Sequence, residues 1–249
     1  MEKYNGNYNI KSFSNWDHFL CLCFGQICRS ESLRNIVLCL KAHKKKLYHL
    51  GIKSKVNLST LSYANNNRDW HIFADFAQVL ISQARRLYIE DNEFIIDLDN
   101  SVYALDASTI DLCLSIFPWA KFKKNKGAVR LHTLMDLRGS IPIFIHITDG
   151  KVHDVNVLDI MVFEPDAFYV MDRGYVDFGR LYKIHLFSTF FVTRLKKNIV
   201  YKRLYSNPVN KKDGLICDQI IKLTNSYDKY PEKLRRVKHH DKIICILAN

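Results

Sequence analysis

Two short apolar runs, each delivering one aspartate, most constrain what this chain can fold into. They are Tyr103–Leu112 (YALDASTIDL) and Ala167–Phe178 (AFYVMDRGYVDF), with Asp106 and Asp172 sixty-six residues apart. Phe168–Met171 is apolar at every position, as in a central strand covered on both faces. A carboxylate at the end of such a strand sits where open α/β sheets bind ligands. If the two strands lie side by side, carboxylates within about 4–6 Å repel, and one takes up a proton unless a cation sits between them. Mg²⁺ suits that arrangement, since it takes one or two carboxylates and keeps positions for water and phosphate oxygens. Taken alone, Asp106 reads as a strand-end or turn aspartate. Asp172 before Arg173-Gly174 reads as a strand closing on a turn, with Gly174 admitting φ > 0.

The 249 residues suffice for one large or two small domains, and a hydrophobic content of 48% allows a real core. The formal net charge of +12 and pI of about 9.3 suit an anionic partner, nucleic acid first and acidic membrane second, or serve solubility alone. The start, MEKYNGNYNIK, has no signal-peptide hydrophobic region. No apolar run approaches the ~18 residues of a membrane span, so no membrane partner is expected. Seven cysteines without a Cys-x2-Cys pair argue against a zinc site and for reduced thiols in a cytoplasmic protein.

Residues 1–97 read as mainly helical. Trp16, Phe19, Leu20, Cys23 and Phe24 repeat at i, i+3, i+4, i+7, i+8, with Ser14 or Asn15 as N-cap. Leu33, Ile36, Val37 and Leu40 share a face. A longer helix over 70–88 carries Phe73, Phe76, Ala77, Leu80, Ile81, Ala84 and Leu87, expected in the core. Asn65-Asn66-Asn67 reads as a helix-breaking loop. From Arg29 to Lys55 eight basic residues face one acid, Glu31, with Lys44, Lys45 and Lys46 between helical patterns. A solvated face and a phosphate-contacting surface both explain this run; neither reads base sequence.

The acidic stretch at 90–100 is the expected boundary between domains 1–97 and 98–249. Both halves are basic, with 13 basic against 9 acidic residues in the first and 24 against 16 in the second. FPWAKFKKNKG follows the Asp106 strand. There Lys121, Lys123, Lys124 and Lys126 interleave with Trp119 and Phe122 between Pro118 and Gly127, which suits a nucleic-acid strand or a solvated loop. Alternation at Val129–Met135 and Ile141–Ile147 around Arg138-Gly139-Ser140 predicts a hairpin with one buried face. Asp154 reads as the N-cap of a helix carrying Val155, Leu158 and Met161. Asp177 opens another, and Phe190–Thr193 is a buried strand. The order β-β-β-α-β-α-β predicts three antiparallel strands continued by parallel ones. The run 194–212, with seven basic residues and no acid, is expected to be β-rich and exposed.

These blocks resemble bacterial insertion-sequence transposases of the DDE class. The resemblance rests on YALDASTIDLCLSIFPWAKFKKNKGAVRLHTLMDLRG, IPIFIHITDGKVHDVNVLD and FYVMDRGYVDFGRLY, and on YNGNYNIKSFSNWDHFLCLCFGQ and NRDWHIFADFAQVL nearer the start. The subgroup it points to carries its third acid in a Tyr-x2-Arg-x3-Glu-x6-Lys signature. The resemblance implies an α/β, ribonuclease-H-like mixed sheet, a helical N-terminal DNA-binding domain, and Asp106 and Asp172 as catalytic acids holding Mg²⁺ or Mn²⁺. It also implies DNA as partner, at terminal inverted repeats and target, a homodimer as one assembly, and a cytoplasmic, nucleoid-associated location. Lys44, Lys45, Lys46, Lys121, Lys123, Lys124, Arg173, Lys196 and Lys197 become DNA contacts, with a structural ion pair the alternative for Arg173. His153 matches a family position without an assigned role, and the region from about 195 begins an insertion.

The resemblance stops at the end of the chain. None of the thirteen tyrosines has Arg three residues later, and Glu232 lacks the required spacing, so no third acidic residue is assigned. Lys242–Asn249 (KIICILAN) reads as an apolar strand with an open edge, which invites aggregation. The expectation is a frame cut short: a transposase lacking one acid, with a non-catalytic DNA-binding fragment, inhibitor or pseudogene product as the alternative.

Overall fold

The computed structural model describes residues 2–4, 6–8, 10–52, 55–88, 99–115, 117–123, 126–239 and 244–249. The chain divides into two compact units, Met1–Leu80 and Ile81–Asn249. The division falls within one helix. The boundary expected at 90–100 lies largely outside the described residues, which omit 89–98.

In the first unit α1 spans Asn15–Ile27, α2 Leu33–Ala42, α3 Leu58–Asn67, and α4, His71–Tyr88, begins there. Ser14 is the N-cap of α1. Its hydroxyl accepts from the Asp17 amide at 3.0 Å, and the Asp17 carboxylate accepts from the Ser14 amide at 2.9 Å. This reciprocal box satisfies donors that a helix start leaves orphaned. Ile36, Val37 and Leu40 bury the predicted face of α2 against Phe13, Cys21 and Leu61. Lys44–Leu50 forms a 3-10 turn that ends on Gly51 at φ 79°, a left-handed position that glycine takes without strain.

Two expectations fail in this unit. Asn65-Asn66-Asn67 is the last turn of α3 rather than a loop. There the Asn67 amide donates to the Tyr63 carbonyl at 2.9 Å, so the asparagines end the helix by bonding back into it. The apolar face of α4 is not core either: among the described residues the helix buries only Ile72 fully, and Leu80 and Leu87 are exposed.

The second unit is built on a sheet that has ten strands among the described residues. They are β1 Val102–Leu112, β2 Lys121–Lys123, β3 Lys126–Asp136, β4 Ile141–Asp149, β5 Phe168–Met171, β6 Phe190–Arg194, β7 Tyr201–Asn207, β8 Leu215–Leu223, β9 Lys233–His239 and β10 Ile244–Ala248. Their order is β2-β3-β1-β5-β6-β10-β9-β8-β7, with β4 also on β3. β1, β3 and β4 pair antiparallel, and β1, β5 and β6 pair parallel. This is the predicted mixed sheet, of ribonuclease-H-like type. α5, Phe178–Leu186, connects β5 to β6 and starts on Asp177, whose carboxylate accepts from the Arg180 amide at 3.0 Å.

One face of β1, β5 and β6 supplies the core. Tyr103, Leu105, Tyr169, Met171 and Phe191 pack with Leu181 and Ile184 of α5 and with Tyr230 and Leu234. The opposite face is less covered than an all-apolar β5 implies, for Val170 is 38% exposed.

The end of the chain is a second correction. β10 is not an open edge, because it pairs antiparallel with β6 on one side and β9 on the other. The Asn249 side chain fastens it further, accepting from the Phe191 amide at 2.8 Å and donating to the Thr189 carbonyl at 2.8 Å. The expected open edge is therefore closed on both sides. β7 is instead the outer strand, and its Lys202 and Arg203 are exposed, as expected of the basic run.

Candidate active site

Strand pairing brings the two aspartates together. β1 and β5 run parallel in the register Val102↔Phe168 to Leu105↔Met171, and Asp106 and Asp172 each come one residue further on. Neighbouring strands lie about 4.8 Å apart, so the two backbones leave the pairing side by side at the carboxy end of β5. Leu105 and Met171 point into the core, and alternation puts the next residues on the other side. Asp106 and Asp172 are both exposed, and neither carboxylate has a hydrogen-bond or ion-pair partner among the described residues. Beneath them the Tyr103 hydroxyl accepts from the Arg85 guanidinium at 2.8 Å and donates to Glu164, which fixes β1 from the core side.

After Asp172 the chain makes a 3-10 turn, Arg173–Tyr175, closed by the Tyr175 amide donating to the Asp172 carbonyl at 3.0 Å. Gly174 does not use its left-handed freedom, since the positive-φ glycines among the described residues are Gly51 and Gly214. The turn drives the Tyr175 ring into the core, 2% exposed, with its hydroxyl unpartnered among the described residues. Burial pushes this phenol up, and Asp154, Asp106 and Asp172 add to the effect while Arg130 opposes it.

Asp154 does not cap a helix. It is the first residue of a short 3-10 turn, Asp154–Asp159, whose N-cap is the exposed His153, and its side chain makes no cap bond. Its carboxylate instead pairs with Arg130 of β3. Its second oxygen lies 3.9 Å from where a Cβ on Gly174 would stand. Next to Arg130 on the strand pattern, His132 is fully buried, its Nε2 2.9 Å from the Thr148 hydroxyl. Burial lowers its pKa, and Asp154 partly opposes that. Sequence reasoning missed Arg130 and Tyr175. A charged residue inside the alternating run Val129–Met135 is the signal by which Arg130 could have been found.

The basic candidates are spread over both units. Lys44, Lys45 and Lys46 are exposed in the first. In the second, Lys121 is exposed on β2 beside exposed Trp119; Lys123 is also on β2, and Lys124 lies outside the described residues. Arg173 is exposed and forms no ion pair among the described residues, against the structural alternative. Lys196 donates to the Val176 carbonyl at 3.1 Å, next to the turn that follows Asp172, and Lys197 is exposed.

The donor set fits a divalent cation as far as it goes. Two adjacent carboxylates without a neutralising partner are what such an ion would settle. Among the described residues no group of three or more His, Cys, Asp or Glu has the geometry to hold a metal, so these two would leave most of the coordination to water and phosphate. No helix among the described residues is long and apolar enough to cross a membrane.

Comparison with known proteins agrees with the topology. Residues 1–53 match a domain of unknown function, DUF4372. Over 197 residues the chain is 28% identical to a protein of Sinorhizobium fredii (strain NBRC 101917 / NGR234) named "Putative transposase y4zB". The match takes in 76% of this chain and 53% of that protein, so the chain spans about half the length of that relative. Residues 97–243 match the model described as transposase DDE domain, and the chain belongs to that family.

Proposed function

We propose that the chain binds the ends of an insertion element and carries two of the carboxylates that cut DNA there. The parallel register that sets Asp106 beside Asp172 carries this reading. A bound Mg²⁺ or Mn²⁺ would neutralise the phosphate and activate water for strand cleavage. The chain's own part is placement. β1 and β5 fix the two carboxylates on a common edge, and Arg173, exposed one residue on, is positioned for a phosphate oxygen. Phosphoryl transfer needs little else from a protein, since positioning and charge dominate its catalysis.

Lys44, Lys45 and Lys46, with Lys121, Lys123, Lys124, Lys196 and Lys197, supply sequence-independent backbone contacts. Held by this pair alone, with no third His, Cys, Asp or Glu grouped with it among the described residues, metal binds weakly and cleavage is slow, because in-line attack depends on close placement of the reacting groups. The test is a plasmid carrying the inverted repeats of a related element, incubated with the full chain and Mn²⁺. Slow nicking lost in Asp106→Asn and in Asp172→Asn supports the reading, and nicking indifferent to both overturns it. Firm DNA binding without any nicking would favour the second reading, an inhibitory DNA-binding fragment.

A further inference from the structure

Tyr175 is 2% exposed and its hydroxyl has no hydrogen-bond partner among the described residues, an arrangement proteins rarely keep because the group gives up water for nothing. The Tyr175 amide donates to the Asp172 carbonyl at 3.0 Å, which holds the residue next to the Asp106–Asp172 pair, and the charges of Asp154, Asp106 and Asp172 all act on its phenol. Asp154 is held by Arg130, and in that position it leaves the hydroxyl unpaired. Asp106 and Asp172 are exposed and engaged by no other side chain among the described residues. Asp106 and Asp172 would hold the cation, and ligating carboxylates characteristically take hydrogen bonds from groups behind them. The 3-10 turn holds Tyr175 three residues behind Asp172, with its ring buried in the same core cluster as Leu105, Val157 and Met171.

We propose that Tyr175 is a positioning residue: once a divalent cation is bound, its buried hydroxyl donates to an outer carboxylate oxygen of the Asp106–Asp172 pair and sets that carboxylate's orientation. The inference rests on the pair being the metal site, and goes beyond it by assigning the group behind the ligands. Outer-shell donors of this kind orient the ligands, and their loss typically weakens metal binding ten- to a hundredfold.

The experiment is Mn²⁺ binding to the full chain by electron paramagnetic resonance, with thermal melting of each variant in metal-free buffer. Tyr175→Phe removes one buried, unpaired oxygen, so its metal-free melting temperature is expected to equal or exceed that of the natural chain. Its Mn²⁺ affinity is expected to fall by about tenfold. Tyr175→Met, which also lacks the hydroxyl, is measured beside it and is expected to lose affinity in the same way. A purely structural tyrosine would give the opposite pattern, lower melting with unchanged affinity, and that result overturns the proposal. If Asp106→Asn and Asp172→Asn weaken Mn²⁺ binding while Tyr175→Phe does not, only the role of Tyr175 falls. If neither aspartate variant changes binding, the metal site itself is wrong and the inference falls with it.

Discussion

Acid should weaken the helical unit through one histidine. His18 on α1 is 2% exposed, edge-on to Phe73 at 5.2 Å between ring centres and tilted against Phe13 at 6.3 Å. Arg68 lies close by, stacked on Phe13 and donating to the Ser14 carbonyl at 2.8 Å. Burial first, and the Arg68 charge second, bring the imidazole down to about 4, against a smaller opposing effect of Asn65. In the unfolded chain it titrates near 6.5.

The folded pKa is the lower one, so between these values the unfolded chain binds the extra proton. The stability contributed by neutral His18 is complete above about pH 6.5 and is lost as pH falls toward 4. At 1.36 kcal/mol per pH unit the loss reaches about 3 kcal/mol. A Trp119→Phe background leaves Trp16 and Trp70, both in the first unit, to report urea unfolding by fluorescence. Stability should fall by about that amount between pH 6.5 and 4, and His18→Leu should flatten the dependence whatever its absolute stability. Equal slopes in the two proteins would refute the reasoning.

The remaining expectations concern DNA and the core. Replacing Lys44, Lys45 and Lys46 together by Gln should lower the slope of log affinity against log salt by about 2.7, if each contacts one phosphate of a duplex. An unchanged slope in the salt titration removes this turn from the interface. Leu181→Ala on α5, at a fully buried position against the sheet, should cost about 2–5 kcal/mol in chemical denaturation.

Legibility followed the range of the forces involved. Local periodicity was enough for α1, α2 and the β3–β4 hairpin, and turn chemistry for the cap at Asp177. The parallel pairing of β1 with β5 was readable because an all-apolar run ending in a carboxylate has few places in a sheet. Asp154 was misread because a cap is a local bond, whereas its partner Arg130 is 24 residues away and on another strand. β10 was misread for a related reason: only the return of β7, β8 and β9 shows that it is flanked on both sides. The Asn65–Asn67 run looked like a loop because asparagine competes with helix, and here the competing bond closes the last turn. Tyr175 carries no sequence signal at all, since an aromatic four residues past a strand end is ordinary core until its hydroxyl is found without a partner among the described residues.

The claim that Asp106 and Asp172 hold one divalent cation together is tested most directly by Mn²⁺ affinity in Asp106→Asn, Asp172→Asn and the double variant, each checked for intact melting. Shared ligation predicts that either substitution alone lowers affinity by more than about tenfold, at least the loss seen for outer partners. It also predicts that the double variant falls far short of the sum of the two effects, since groups that touch one ion do not act independently. Unchanged affinity in either single variant, or effects that simply add, would contradict it.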